Sequence, residues 1–260
     1  NDGTLWANTG TLTTAGSWSS SGASDLIQVD ATGTLNLGGT FTTSAISGNV
    51  TRATGSTVNL VNTLDLATGS YDLGAAGNIG SLVLLNNAAV QNGTLLTTNA
   101  TSATLASFAN VTFTGVTLGN GTANSGNVTA NNGADLFIGS GGLDLNAGKI
   151  TLNDQGSTTT LTLLGNGTQQ LRGSGEVIFG GTSSAGIVSS SAAGSTLDIA
   201  AGILIHGTRH GTVGAVALGL ANHGTIKADA SGMTITVTGT NWTNDGTLWA
   251  NTGTLTTAGS

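Results

Sequence analysis

The chain has 260 residues, of which 43 are glycine and only 7% are charged, and it contains neither proline nor cysteine. The formal net charge is −7, and the basic residues are too few and too scattered to form the positive surface that nucleic acids or anionic membranes require. The lack of cysteine excludes disulfides, thiol catalysis and thiolate zinc sites, and no apolar run approaches the roughly 18 residues of a membrane span, so we expect no membrane insertion.

The apolar residues, 38% of the chain, are spread evenly along it. Disordered chains are rich in proline, glutamate and lysine, whereas here valine, isoleucine, leucine and threonine recur throughout. This distribution predicts a thin, continuous core in place of a single globular one.

The first element is a long exact repeat. Residues 1–17 read NDGTLWANTGTLTTAGS, and residues 244–260 repeat all 17 positions at an offset of 243. The repeat predicts one unit over residues 1–243 and the start of the next identical tandem unit over 244–260. We expect the natural polypeptide to continue in both directions.

Within the unit, a glycine followed by a short alternating strand recurs from Gly3 to Gly246, at intervals of about 22 residues, a period within the range of repeat architectures. The strand starts follow Gly33, Gly55, Gly80, Gly93, Gly115, Gly133, Gly156, Gly175, Gly194 and Gly224. A period of this length is typical of solenoids, in which each coil stacks on its neighbours. The pattern predicts an all-β fold, a right-handed parallel β-helix (β-solenoid) with about 11 rungs of about 22 residues per unit, the hand following from the general preference of parallel crossovers.

The alternation has a physical basis. In Thr34-Leu35-Asn36-Leu37, strand geometry places the leucines on one side and the polar residues on the other. Asn-Gly pairs such as Asn92-Gly93 suit corners, because both residues tolerate positive φ. The same pairs form hairpin turns, so an antiparallel sandwich is the alternative.

Two intervals between marker glycines are longer than the others, Gly3 to Gly33 and Gly194 to Gly224, and they predict insertions. His206, His210 and His223 all fall in the second interval, with Asp229 close by in the sequence, and a metal site is conceivable there. The alternative is that they are polar corner residues of a widened rung, and we expect no metal site.

Polysaccharide-cleaving solenoids act through clustered carboxylates. Asp135 with Asp144, or Asp65 with Asp72, are the pairs that stacking could bring together, but most such residues are simply solvated or cap turns. We expect no catalytic site and no cofactor, and we interpret the chain as a protein without enzymatic activity.

The four tryptophans concentrate at the boundary between units, at Trp6, Trp18, Trp242 and Trp249. They are candidates for an aromatic platform that stacks on sugars. The alternative is that they fill the core or seal the unit boundary.

Three segments carry a family resemblance: NDGTLWANTGTLTTAGSWSSSG at 1–22, TGTLNLGGTFTT at 32–43 and NHGTIKADASGMTITVTGTNWTNDGTLWA at 222–250. They resemble the repeats of giant bacterial exoproteins and adhesins, including filamentous haemagglutinin-like proteins and autotransporter β-helices. The resemblance implies export, an extracellular or cell-surface location, and adhesive or biofilm roles. The shared motif is a rung motif, so it carries over no catalytic or binding residue.

We therefore expect an extracellular structural repeat that stacks end to end into a rod or filament on or outside a bacterial cell, with a cohesive or adhesive role. Its partners would be neighbouring copies of the same unit, end to end and possibly side by side, and carbohydrate. The alternative is an adhesin that binds carbohydrate or host protein along its polar faces.

Overall fold

The computed structural model of the chain describes residues 3–20, 22, 25–182 and 186–259. They form a parallel β-solenoid of about 10 turns with about 24 residues each, and 55% of these described residues are in strands. The helical content of the described ranges is a single 3-10 turn, Thr43–Ala45. No helix in these ranges has the length and apolar character to cross a membrane.

The strands follow one another at short intervals throughout the chain. They are β1 (Thr4–Ala7), β2 (Thr11–Thr13), β3 (Leu26–Val29), β4 (Thr34–Leu37), β5 (Thr40–Thr42), β6 (Val50–Arg52), β7 (Thr57–Leu60), β8 (Thr63–Asp65), β9 (Ser70–Asp72), β10 (Leu82–Leu84), β11 (Ala89–Leu96), β12 (Ala103–Leu105), β13 (Asn110–Leu118), β14 (Asn127–Asn131), β15 (Asp135–Ile138), β16 (Leu143–Asp154), β17 (Thr159–Leu163), β18 (Thr168–Gly181), β19 (Gly186–Ser190), β20 (Thr196–Ile199), β21 (Gly202–Gly207), β22 (Gly211–Gly214), β23 (Gly219–Asn222), β24 (Thr225–Ala228), β25 (Thr234–Thr238), β26 (Thr243–Asn244), β27 (Thr247–Ala250) and β28 (Thr254–Ala258).

The strands stack into three long faces, visited in the order A, B, C in each turn from β7 onward. Face A consists of β2, β4, β7, β10, β12, β14, the second half of β16, the second half of β18, β21, β24 and β27. Face B consists of β5, β8, the first halves of β11 and β13, β15, β17, β19, β22, β25 and β28. Face C consists of β9, the second halves of β11 and β13, the first halves of β16 and β18, β20, β23 and β26. A short sheet of β1, β3 and β6, called Face N, precedes Face A in the first turns.

Every strand pairing in the described ranges is parallel, which confirms the solenoid and excludes the antiparallel sandwich. The right-handed sense of the coil stays a prediction.

The core is a set of columns that contain one inward side chain per turn. On Face A the column contains Leu12, Leu35, Val58, Leu82, Ala103, Val128, Ile150, Val177, Ile205, Ile226 and Leu248. Its interior members are buried, whereas Leu12 and Leu248, in the first and last turns of the face, are half-buried. Alternation therefore works as predicted, because successive residues of a strand point to opposite sides of the sheet.

The two predicted insertions are wrong. Thr4 pairs with Leu26 and Thr11 pairs with Thr34, so the first turns are no longer than the average turn of the coil. In the second interval, Thr196 pairs with Gly219, and this turn is of ordinary length as well. Residues 21, 23 and 24 of the first interval lie outside the described residues.

The reason is that the marker glycines do not stay on one face. Gly33 precedes a Face A strand, Gly93 lies at the start of a Face C segment and Gly133 precedes a Face B strand. The interval from Gly194 to Gly224 begins before Face C and ends before Face A, so it spans one turn and one further face. Counting glycines therefore predicted too many rungs, each too short, where the structure has about 10 turns of about 24 residues.

Candidate functional site: the unit junction and the charged row

The unit junction is the place where the second copy of the segment 1–17, which begins at Asn244, stacks on the turn before it. Asn222-His223-Gly224-Thr225 lies directly below Asn244-Asp245-Gly246-Thr247, so an Asn-x-Gly-Thr corner stacks on another of the same pattern. The pairing is in register on both sides of the corner, with Asn222 opposite Asn244 and Thr225 opposite Thr247. The coil continues into the repeated segment without a break.

A buried amide contact joins the two corners. Asn222 is completely buried, and its Nδ2 donates to Oδ1 of Asn244 over 2.7 Å and to the carbonyl oxygen of Gly224 over 3.3 Å. Asn244 repeats the pattern, since its Nδ2 donates to the carbonyl oxygen of Gly246 over 3.2 Å. Each asparagine thus closes its own corner, and Asn244 also accepts from the asparagine below it.

His223 bridges three successive turns beside this contact. Its Nε2 lies 3.6 Å from Oδ1 of Asp198 in the turn below, and its Nδ1 lies 3.6 Å from Oδ2 of Asp245 in the turn above. When the imidazole is protonated, it has a carboxylate on each side, one of them from the second copy. Because His223 is 43% exposed, solvent screens both contacts.

A row of charged side chains runs along the outside of Face A toward the junction. This charged row comprises Lys149, Glu176, His206, Asp229 and Lys227. Glu176 lies 3.4 Å from both Lys149 and Nε2 of His206, and Nδ1 of His206 lies 3.1 Å from Asp229. Burial alone would raise the pKa of Asp229, but the hydrogen bond and positive charge of His206, together with Lys227, outweigh burial and lower it.

The charged row ends on an aromatic ring of the second copy. Nζ of Lys227 lies 3.4 Å from Asp229 and 4.8 Å from the ring centroid of Trp249, within reach of a cation–π contact. Lys227 and Trp249 are in register on β24 and β27. A side chain of the first copy therefore contacts one of the second.

The structure does not bring the three histidines together. His206 lies within a strand of Face A, His210 lies between β21 and β22 and accepts at Nδ1 from the backbone N–H of Thr234, and His223 follows a Face C strand. The interpretation of His206 as a corner residue is wrong. Across the described part of the chain, no group of three or more His, Cys, Asp or Glu residues is arranged to hold a metal ion.

The four candidate carboxylates lie at separate places, with Asp65 and Asp135 on Face B and Asp72 and Asp144 on Face C. Asp65 accepts from the backbone N–H of Ala67, which together with side-chain amides lowers its pKa.

Asp72 closes the corner that follows β9. Burial would raise its pKa, but hydrogen bonds from the hydroxyl and N–H of Thr98 and from the N–H of Gly74 outweigh burial and lower it. Asp65 and Asp72 thus act as the turn caps that the alternative interpretation described.

The tryptophans divide into two pairs. Trp18 and Trp242 are partly buried against the core, and Trp18 stacks on Phe41 at 4.7 Å. Trp6 and Trp249 occupy the same position of the repeat and are about half exposed, at 54% and 48%. The structure therefore presents one open tryptophan per copy and does not assemble all four into a platform.

The charged row was missed at the sequence level because its members lie far apart in the chain. Lys149 and Glu176 are directly paired across adjacent turns, whereas His206 contacts Asp229 one turn along the chain and Glu176 one turn before it. The alignment of these charged residues can be recognised in the sequence only after each strand has been assigned to its face. A search for nearby charged residues along the chain cannot find it.

No protein-family model, curated protein or solved structure matches this chain.

Proposed function

We propose that the chain is a structural repeat whose copies stack end to end into a rod or filament on or outside a bacterial cell, with a cohesive role. The observation that supports this proposal is the junction: β27 and β28, from the second copy, pair in parallel register with β24 and β25. Copies joined in this way form one coil.

The first and last turns of the coil expose apolar side chains that a further stacked turn would bury. Leu248 and Leu255 are half-buried, whereas Ile226 and Ile235, one turn below in the same columns, are buried. Leu5 and Leu12, the same residues of the first copy, are half-buried as well. A further turn on either end would bury these leucines and pair the open strand edges, which otherwise favour aggregation.

The extracellular location is part of the proposal and is supported by the resemblance to bacterial exoproteins. Immunogold electron microscopy of the producing bacterium, with an antibody raised against this unit, tests it. We expect gold along thin filaments outside the cell, removed by protease treatment of intact cells. Gold confined to the cell interior, with a cytoplasmic marker as the control, would contradict the proposal.

A second candidate function is carbohydrate binding, which the exposed tryptophan of each copy favours. Trp249 lies beside Lys227. A separate shallow groove, lined by Lys149, Glu176 and Leu204, lies two or more turns before Trp249. An exposed ring next to polar groups suits stacking on a sugar.

A glycan array tests this candidate. A Trp6→Ala, Trp249→Ala variant should lose binding, whereas Phe108→Ala, which removes an exposed aromatic ring elsewhere, should retain it. Equal binding by both variants would show that the exposed tryptophan does not contact the sugar.

A further inference from the structure

The repeated segment occupies different faces in its two copies. In the first copy, TLWA forms β1 on Face N and TLT forms β2 on Face A. In the second copy, TLWA forms β27 on Face A and TLTTA forms β28 on Face B. The same sequence has moved forward around the coil by one strand position.

The lengths of the turn and of the repeat explain this movement. Leu12 and Leu248 begin and end the Face A column, ten turns apart, but the residue of the second copy that corresponds to Leu12 is Leu255. The repeat therefore exceeds ten turns by the step from Leu248 to Leu255. That step is one strand and its corner, the same as the step from Leu5 to Leu12. The repeat is thus ten turns plus one face.

The orientation of the side chains is the same in both positions. Leu5 and Leu248 are half-buried against the core, while Trp6 and Trp249 are exposed. Strand alternation is therefore preserved when the segment changes face, because a move by a whole strand leaves the inward and outward positions unchanged. The neighbours of the segment differ, since Trp6 donates to Asp30 whereas Trp249 contacts Lys227, but the inward leucine and the outward tryptophan are kept on both faces.

We propose that consecutive units of the rod are rotated relative to one another by one face, so that each surface feature winds around the rod and returns to the same side after three units. This inference rests on the proposed end-to-end stacking and adds its geometry. The partner is a second copy of this chain, and the contact surface is the edge formed by β24 and β25, on which β27 and β28 lie.

The rotation has a consequence for how rods contact their surroundings. The charged row lies on Face A in the first copy, so in the next copies it lies on the two other faces in turn. No side of the rod is charged along its whole length, and every side presents the row and the open tryptophan at regular intervals. Such a rod can contact like rods or a surface on any side.

Disulfide trapping in a chain of two complete copies tests the rotation, since the natural sequence has no cysteine. The variant Lys227→Cys, Trp249→Cys joins positions in register on adjacent turns if the second copy starts on Face A. The variant Lys227→Cys, Thr256→Cys joins adjacent turns only if the second copy starts on the faces used by the first. Adjacent turns are about 4.8 Å apart, which a disulfide can span.

The control is Asn36→Cys, Asn59→Cys, an outward pair in register on Face A within one unit. We expect the Lys227 and Trp249 pair to oxidise to the same extent as this control and the Lys227 and Thr256 pair to stay reduced. The reverse result would overturn the rotation and keep end-to-end stacking, and equal trapping of both pairs would also overturn the rotation. Trapping of neither pair, with the control oxidised, would overturn the stacking itself.

Discussion

At the residue scale, corner glycines allow successive turns to approach closely. Gly39 has φ of 77°, and a Cβ at this position would overlap the carbonyl oxygen of Gly16 in the turn below. Gly48 has almost the same φ, 76°, but open space around it. Alanine substitutions at Gly48 and Gly39 therefore distinguish two costs. The first substitution measures backbone strain alone, and the second adds the overlap with the neighbouring turn.

We therefore predict that Gly48→Ala lowers the free energy of unfolding by about 1–2 kcal/mol, the cost of a left-handed conformation for alanine. Gly39→Ala should cost about 1–3 kcal/mol more, because the turns must also move apart. Urea unfolding of the two variants measures the difference. Equal losses would show that the corners do not limit the stacking distance.

The turn-capping carboxylates make stability depend on pH. The pKa of Asp72 is lowered in the folded chain from an ordinary value of 3.8, so its contribution is present above that pH and is lost as the pH falls through the folded pKa. Asp65 and Asp229 have pKa values lowered in the same direction. We predict that the temperature of the unfolding midpoint falls as the pH drops below about 4.

Asp72→Asn should destabilise the chain at pH 7 by about 1–2 kcal/mol and less at pH 3, because below the ordinary pKa of 3.8 the carboxylate is protonated in the unfolded chain, which removes part of its preference for the folded state. Thermal unfolding at the two pH values checks this. A penalty that does not depend on pH would rule out Asp72 as a source of the acid sensitivity.

The roles of individual residues were predictable from the sequence where they depend only on neighbours in the chain. The turn-capping carboxylates and the glycine and asparagine corners follow from the conformations that these residues favour, and Asp72 and Gly39 behave accordingly. The charged row was not predictable, because the contact of His206 with Glu176 depends on how many residues each turn contains.

The strands contribute inward side chains to columns that run along the stack. Leu136 lies in the middle of the Face B column, between Val111 and Leu161, and is completely buried. Leu12 lies in the first turn of Face A and is half-buried. The two leucines differ mainly in whether turns cover them on both sides.

We predict that Leu136→Ala lowers the free energy of unfolding by about 2–5 kcal/mol, because turns on both sides hold the cavity open. Leu12→Ala should cost clearly less. Urea unfolding monitored by circular dichroism measures both values. A similar loss for both would mean that burial within the column does not set the strength of the stack.

Strands were predictable from alternation, but their assignment to faces was not. The glycine before a strand is the same signal on every face, so Gly93 and Gly133 were counted with Gly33 although they precede segments of other faces. Three similar faces make a shift by one strand invisible in the sequence. The same ambiguity gave the error in the rung count and hid the rotation between copies.

At the scale of the whole molecule, each turn contacts only the turns next to it, so stability should grow with the number of turns. We predict that a chain of two copies unfolds at a higher urea concentration than a single copy, with a steeper dependence on urea because more surface is exposed in one transition. Chemical unfolding of both chains at equal mass concentration measures this. Identical midpoints and slopes would indicate that the copies fold independently.

If copies continue one another as a single coil, the particle lengthens by a fixed amount with each added copy. Electron microscopy of chains with one, two and four copies measures that length. We predict straight, unbranched rods that lengthen by about 50 Å per copy, since ten turns and one face rise at about 4.8 Å per turn. Two results would show that the copies do not form one continuous coil. One is separate particles on flexible connections, and the other is a length that does not increase in proportion to copy number.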